Sequence, residues 1–81
     1  MPSNYEEFYV MEETNGGVIE AVAGVNVEVY DADNDVALTT LVTDPDGKIA
    51  AGTLNVKAGT RVRFRVENRN GLAGSVTQIT A

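Results

Sequence analysis

One run constrains this chain more than any other: in Arg61-Val62-Arg63-Phe64-Arg65-Val66 charged and apolar residues alternate without a fault. A period of two puts the arginines on one face of an extended strand and Val62, Phe64 and Val66 on the other. A helix would scatter both kinds around its surface. Val25-Asn26-Val27-Glu28-Val29-Tyr30 repeats the pattern, with three valines on one side. Nowhere does a 3.6-residue apolar period persist, so no substantial helix is expected.

Turn signals fall between the alternating runs. Thr14-Asn15-Gly16-Gly17 contains Asn-Gly, a strong hairpin signal. Asp31-Ala32-Asp33-Asn34-Asp35 and Asp44-Pro45-Asp46-Gly47 are rich in residues that bond their own backbone, preset φ or accept a positive φ. Lys57-Ala58-Gly59-Thr60 and Asn68-Arg69-Asn70-Gly71 follow the same logic. Short strands separated by turns predict an all-β fold, an antiparallel Greek-key β-sandwich of about seven strands. The order reads as an N-terminal strand or docking arm over residues 1–17, then the sandwich over 18–81, within one domain.

Composition narrows the chemistry. A chain of 81 residues makes one core, here of Val, Ala, Ile and Leu, since there is no Trp and only five Phe and Tyr. Without cysteine there is no disulfide, thiolate or metal–sulfur site, and without histidine the commonest general base is missing. No glycine-rich phosphate loop opens a helix. The expectation is a non-enzymatic protein without a cofactor. No apolar stretch is long enough to span a bilayer, and no basic segment followed by an apolar run opens the sequence, so with Met1 as its start the protein is expected to fold in a cytoplasm.

Charge is divided along the chain. Residues 1–46 hold eleven acids and no base, whereas residues 47–81 hold all six bases and one acid, Glu67. Two readings are open. Acidic strands lie beside basic ones within the fold, with partners such as Glu20 or Glu28, or a charged surface docks on a neighbour.

From Ala23 to Val66 the chain resembles the carboxypeptidase-regulatory-like and collagen-adhesin B-type group of prealbumin-like sandwiches. The resemblance rests on Ala23-Gly24-Val25-Asn26-Val27-Glu28-Val29-Tyr30-Asp31, on Thr43-Asp44-Pro45-Asp46-Gly47-Lys48 and on Val56-Lys57-Ala58-Gly59-Thr60. Ala58 stands where that group has proline, and Arg61 where it has an aromatic residue. The resemblance implies a stalk, spacer or attachment module. Some relatives carry a Lys–Asn isopeptide bond, but Lys48 and Lys57 lie mid-chain and residues 72–81 hold no Asn or Asp, so no crosslink is expected.

Three candidate sites remain. Asp31, Asp33 and Asp35 have the first spacing of a calcium loop, but Val36 and Val42 stand where Gly and Glu are required, so a solvated turn is the plainer reading. Arg61, Arg63 and Arg65 form a basic face that either pairs with acids of its own chain or meets a neighbouring protein subunit, while the net charge of −6 and scarcity of aromatics argue against nucleic acid. Tyr5, Phe8, Tyr9 and Met11 concentrate interface-type residues in the N-terminal segment, where they either dock on a partner or complete the chain's own sheet. With no membrane or nucleic-acid partner expected, the partners are other protein subunits, in a homo-oligomer or virion lattice. The expected role is a bacteriophage virion component (capsid decoration, neck or tail-associated), located in the virion. A stalk or attachment module of a bacterial surface adhesin or pilus is the alternative.

Overall fold

The computed structural model describes residues 2–69 and 72–81, and among them there are ten strands and no helix. In chain order they are β1 (Ser3–Tyr5), β2 (Phe8–Tyr9), β3 (Met11–Glu13), β4 (Ile19–Ala21), β5 (Asn26–Asp31), β6 (Val36–Val42), β7 (Lys48–Ile49), β8 (Gly52–Leu54), β9 (Arg61–Arg69) and β10 (Leu72–Ile79). All pairings are antiparallel. Part of the turn expected at 68–71 falls on residues 70–71, outside the described residues.

The alternating runs form the centre. A four-stranded sheet has the order β10-β9-β5-β6, with Val27 opposite Val66, Val29 opposite Phe64 and Glu28 opposite Arg65. Val25, Val27, Val29, Val62 and Phe64 are buried, and Val66 is half-buried against them. Period two therefore sorts this sheet: valines and phenylalanine inward, Glu28, Tyr30 and the arginines outward.

Ten strands, and not about seven, reflect partner changes along continuous runs. Joining β1, β2 and β3 into one run, and β7 with β8 into another, leaves seven extended runs. Ser3 to Tyr5 face Leu54 to Gly52, and Phe8 and Tyr9 face Ile49 and Lys48, with no residue gained or lost between the two halves. The N-terminal segment is thus one side of a ribbon lying over the inner face of the large sheet. Phe8 meets the Phe64 ring edge-on at 5.0 Å and Tyr5 meets it tilted at 5.4 Å, both favourable aromatic geometries. Ile49, Leu54 and Val10 complete the core.

Val10 is where the segment changes partner. Its N–H donates to the Gly47 carbonyl at 2.7 Å, and its own carbonyl accepts from Val22 N–H at 3.0 Å. Gly47 has φ 74°, and a Cβ there would stand 2.7 Å from the Val10 carbonyl oxygen. Only glycine meets both conditions. The turn before it is set by Asp44, whose carboxylate accepts from the N–H groups of Asp46 and Lys48. Thr43, buried, ties the return to β5: its hydroxyl accepts from Val25 N–H and donates to the Val22 carbonyl.

Beyond Val10 the chain leaves the core. β3 and β4 form a hairpin closed by Thr14 and Val18, with Gly17 in the left-handed region, so the Asn15-Gly16 signal resolves as a three-residue loop. Every residue of both strands is exposed.

Candidate interaction surfaces

The outer face of the large sheet carries the charged residues that the sequence separates by half a chain. Arg65 donates to Glu28 at 3.1 Å and to the Tyr30 hydroxyl at 3.0 Å, while that hydroxyl donates to the other Glu28 oxygen at 2.6 Å. The guanidinium of Arg65 lies 5.0 Å from the centre of the Tyr30 ring, and that of Arg63 5.8 Å from it. Arg63 pairs with Asp35 at 3.1 Å, and Arg61 approaches Asp33 at 3.9 Å. The bond from Tyr30, followed by Arg65, holds the Glu28 carboxyl below the usual carboxylate range; the same bond pushes the Tyr30 hydroxyl up. Arg61, Arg63 and Arg65 are therefore each turned to an acid of their own chain, Glu28 among them. Glu20 lies elsewhere, opposite Glu12 in the hairpin.

Asp31, Asp33 and Asp35 do not converge. Asp31 accepts from the N–H groups of Asp33 and Asn34 and from the Asn34 side chain, and that side-chain bond chiefly lowers its pKa. The other two carboxylates face Arg61 and Arg63. Asp35 has φ 54°, a left-handed position that Asp tolerates. Among the described residues no group of three or more Asp and Glu is placed to hold a metal ion.

The N-terminal candidates separate by burial. Tyr5 is buried and Phe8 half-buried, both packed against Phe64 in the core of their own chain, and Phe8 also lines the groove described below. Parity hid this in the sequence, because the strand is interrupted at Glu6-Glu7 and an odd and an even residue on either side face the same way. Tyr9 and Met11 remain exposed, at 52% and 45%.

Those two residues border an apolar groove of about 200 Å³. Phe8 to Met11 form one wall, Gly74 to Val76 the other, and Phe64 and Val66 the floor. Sequence reasoning did not find this groove, since nothing in residues 72–81 singles out Val76 from any other strand valine. Its inward-facing register, opposite Phe64, would ordinarily bury it, yet it is 43% exposed because among the described residues no strand covers that part of β10. A second groove lies beside β6, between Leu38 and Leu41 on one side and Tyr5 and Leu54 on the other.

No protein-family model matches the chain, and no curated protein or solved structure matches it.

Proposed function

We propose that this chain is a non-enzymatic structural protein that works by binding neighbouring protein subunits, as a bacteriophage virion component of the capsid-decoration, neck or tail-associated kind. The observation that carries the binding role is the open groove between Phe8–Met11 and Gly74–Val76, rimmed by exposed Tyr9, Met11 and Val76 in a chain too small to leave apolar surface uncovered at no cost. The absence of His and Cys from the sequence removes the usual nucleophile–base pairs. The N-terminal ribbon over the four-stranded sheet reads as the second layer of a prealbumin-like Greek-key sandwich, and the motifs between Ala23 and Val66 support that scaffold.

The alternative, a stalk or attachment module of a bacterial surface adhesin or pilus, draws on the same motifs. One contact weighs against an in-line stalk. Asn4 and Ala81 exchange backbone hydrogen bonds at 2.7 and 3.0 Å, so the chain enters and leaves at one end. Copies strung in tandem would branch sideways and would not extend in line.

The test is co-sedimentation. The protein should travel with virus particles through a density gradient, and Tyr9→Ser with Met11→Ser should release it while leaving its fold intact by circular dichroism. Recovery only as a free protein, or neighbouring genes encoding a cell-wall anchor and signal sequence, would overturn the virion reading. Removing residues 1–13 would not serve, because it deletes Tyr5, Phe8 and Val10 from the core.

A further inference from the structure

We propose that the groove between the N-terminal strand and β10 is a vacant strand position, filled in the assembly by an extended segment of another protein that alternates apolar and basic residues. The inference rests on the reading of this chain as an interaction module and names what its groove accepts.

The two walls diverge from a common hinge. At one end Asn4 and Ala81 are joined backbone to backbone. Two residues on, Glu6 is joined to β10 only through a side chain: Gln78 accepts from the Glu6 N–H with Oε1 at 2.8 Å and donates to the Glu6 carbonyl with Nε2 at 3.0 Å. Beyond that bridge no backbone hydrogen bond connects Phe8–Met11 with Gly74–Val76 among the described residues. The walls have separated, and the groove occupies the space.

Both walls offer unused backbone groups. In a strand successive residues point their N–H and C=O to opposite sides. Val10 uses both of its groups toward Gly47 and Val22, so those of Tyr9 and Met11 face the groove. Thr80 donates to Thr60 and accepts from Gly59 on the β9 side, and counting back by two puts Gln78, Val76 and Gly74 on that side as well. The N–H and C=O groups of Thr77 and Ser75 therefore point outward, as those of Ala81 do toward Asn4. A strand entering here pairs with two edges, antiparallel to one and parallel to the other, since the walls run in opposite directions.

The chemistry of the occupant follows from the surroundings. Inward side chains of the guest would lie among Phe8, Val10, Val66 and Val76, so alternate positions are apolar. Among the described residues the four ion pairs engage Glu7, Glu28, Asp33 and Asp35. Glu6, Glu12, Glu13 and Glu20, all in the segment that forms the first wall and its hairpin, make no ion pair among the described residues, which favours basic residues at the remaining guest positions. A second copy cannot supply such a strand. The chain's own apolar–basic run, β9, is paired on both edges by β5 and β10. The free edge of β6 fits a guest less well, because its register shifts opposite Val29 and Tyr30, whereas β10 is regular from Gly74 to Ile79.

The probe is a short end-blocked peptide alternating valine with lysine, titrated into the full-length protein and followed by amide NMR, with a valine–glutamate peptide as control. The valine–lysine peptide should shift and protect the amides of Tyr9, Met11, Ser75 and Thr77, and the glutamate peptide should bind at least about tenfold more weakly. Ser75→Pro removes an outward N–H without breaking the β9 ladder and should weaken binding by a similar factor. Val76→Lys, a second variant on an exposed position, should do the same if the proline variant folds poorly. No binding at millimolar peptide, shifts confined to β6, or protection of the same amides by self-association without peptide would each overturn the proposal. Co-sedimentation with particles separates the two readings: a Ser75→Pro protein that still travels with them refutes the strand position and leaves the assembly role standing.

Discussion

The β5–β9 ladder and the β3–β4 hairpin are both antiparallel pairs, yet they end at opposite extremes of burial. In the ladder Val27, Val29, Val62 and Phe64 are almost wholly excluded from water. In the hairpin every strand residue is exposed, including Met11 and Ile19. The charged faces differ too. The ladder sets Glu28 opposite Arg65, whereas the hairpin sets Glu12 opposite Glu20, a like-charge pairing that weakens a two-stranded ribbon already marginal in water. Strand pairing alone therefore does not stabilise a hairpin; a second layer over its apolar face does, and the N-terminal ribbon stops providing one at Val10.

The sharpest way to break this contrast is in the core. Phe64→Ala removes the ring that Tyr5 and Phe8 both touch and should cost about 3–5 kcal/mol. That is a large share of the roughly 4–12 kcal/mol available to a domain of this size, so urea denaturation should show a much lower midpoint for the variant. Ile19→Ala in the hairpin should change stability by less than about 0.5 kcal/mol. Equal effects would mean that the hairpin is covered in solution.

Gly47 sits at the junction of the two regions. Gly47→Ala should cost about 1–3 kcal/mol for the left-handed backbone alone, and more for the close approach to the Val10 carbonyl. Thermal melting should fall by roughly 4–8 °C per kcal/mol. A variant that melts like the parent would show that the junction relaxes freely.

A smaller change sharpens the comparison from the hairpin side. Glu12→Lys turns a like-charge pair into an opposite one and should stabilise the hairpin by about 0.2–1 kcal/mol. Hydrogen exchange should slow at the amides of Glu12 and Glu20 while those of Val27 and Phe64 stay unchanged. Faster exchange would refute the cross-strand pairing.

Acid should produce the smallest effect, on the outer face of the ladder. The carboxyls of Glu28 and Asp31 are held low in the folded state, so their contribution is complete above the ordinary carboxylate range of about 4. It is lost as the pH falls below that range and these groups protonate. Both are exposed, so solvent screens the effect. The urea midpoint should decline modestly in that window, and Glu28→Gln should flatten part of the decline. A midpoint that rises on acidification would contradict the bonds from Tyr30 and Arg65.

Much of the centre was legible in the sequence. The alternation of Val25, Val27 and Val29 with polar residues, and of Val62, Phe64 and Val66 with arginines, specifies two strands and the face each buries, because side chains of a strand can only alternate. The turns at Asp31–Asp35 and Asp44–Gly47 were equally plain, since Asp, Pro and Gly act through their own backbone. Tertiary structure decided the rest. That Tyr5 and Phe8 belong to their own core depends on the break in the strand at Glu6-Glu7, across which parity changes, and on a partner strand more than forty residues away. That Arg61, Arg63 and Arg65 each meet an acid required the register of β5 against β9. The groove beside Val76 exists because the N-terminal strand, bonded to Ala81 at one end, is drawn away toward Gly47 at the other. Local pattern fixes which way a side chain points, but whether anything lies there to cover it is settled only when distant segments compete for the same edge.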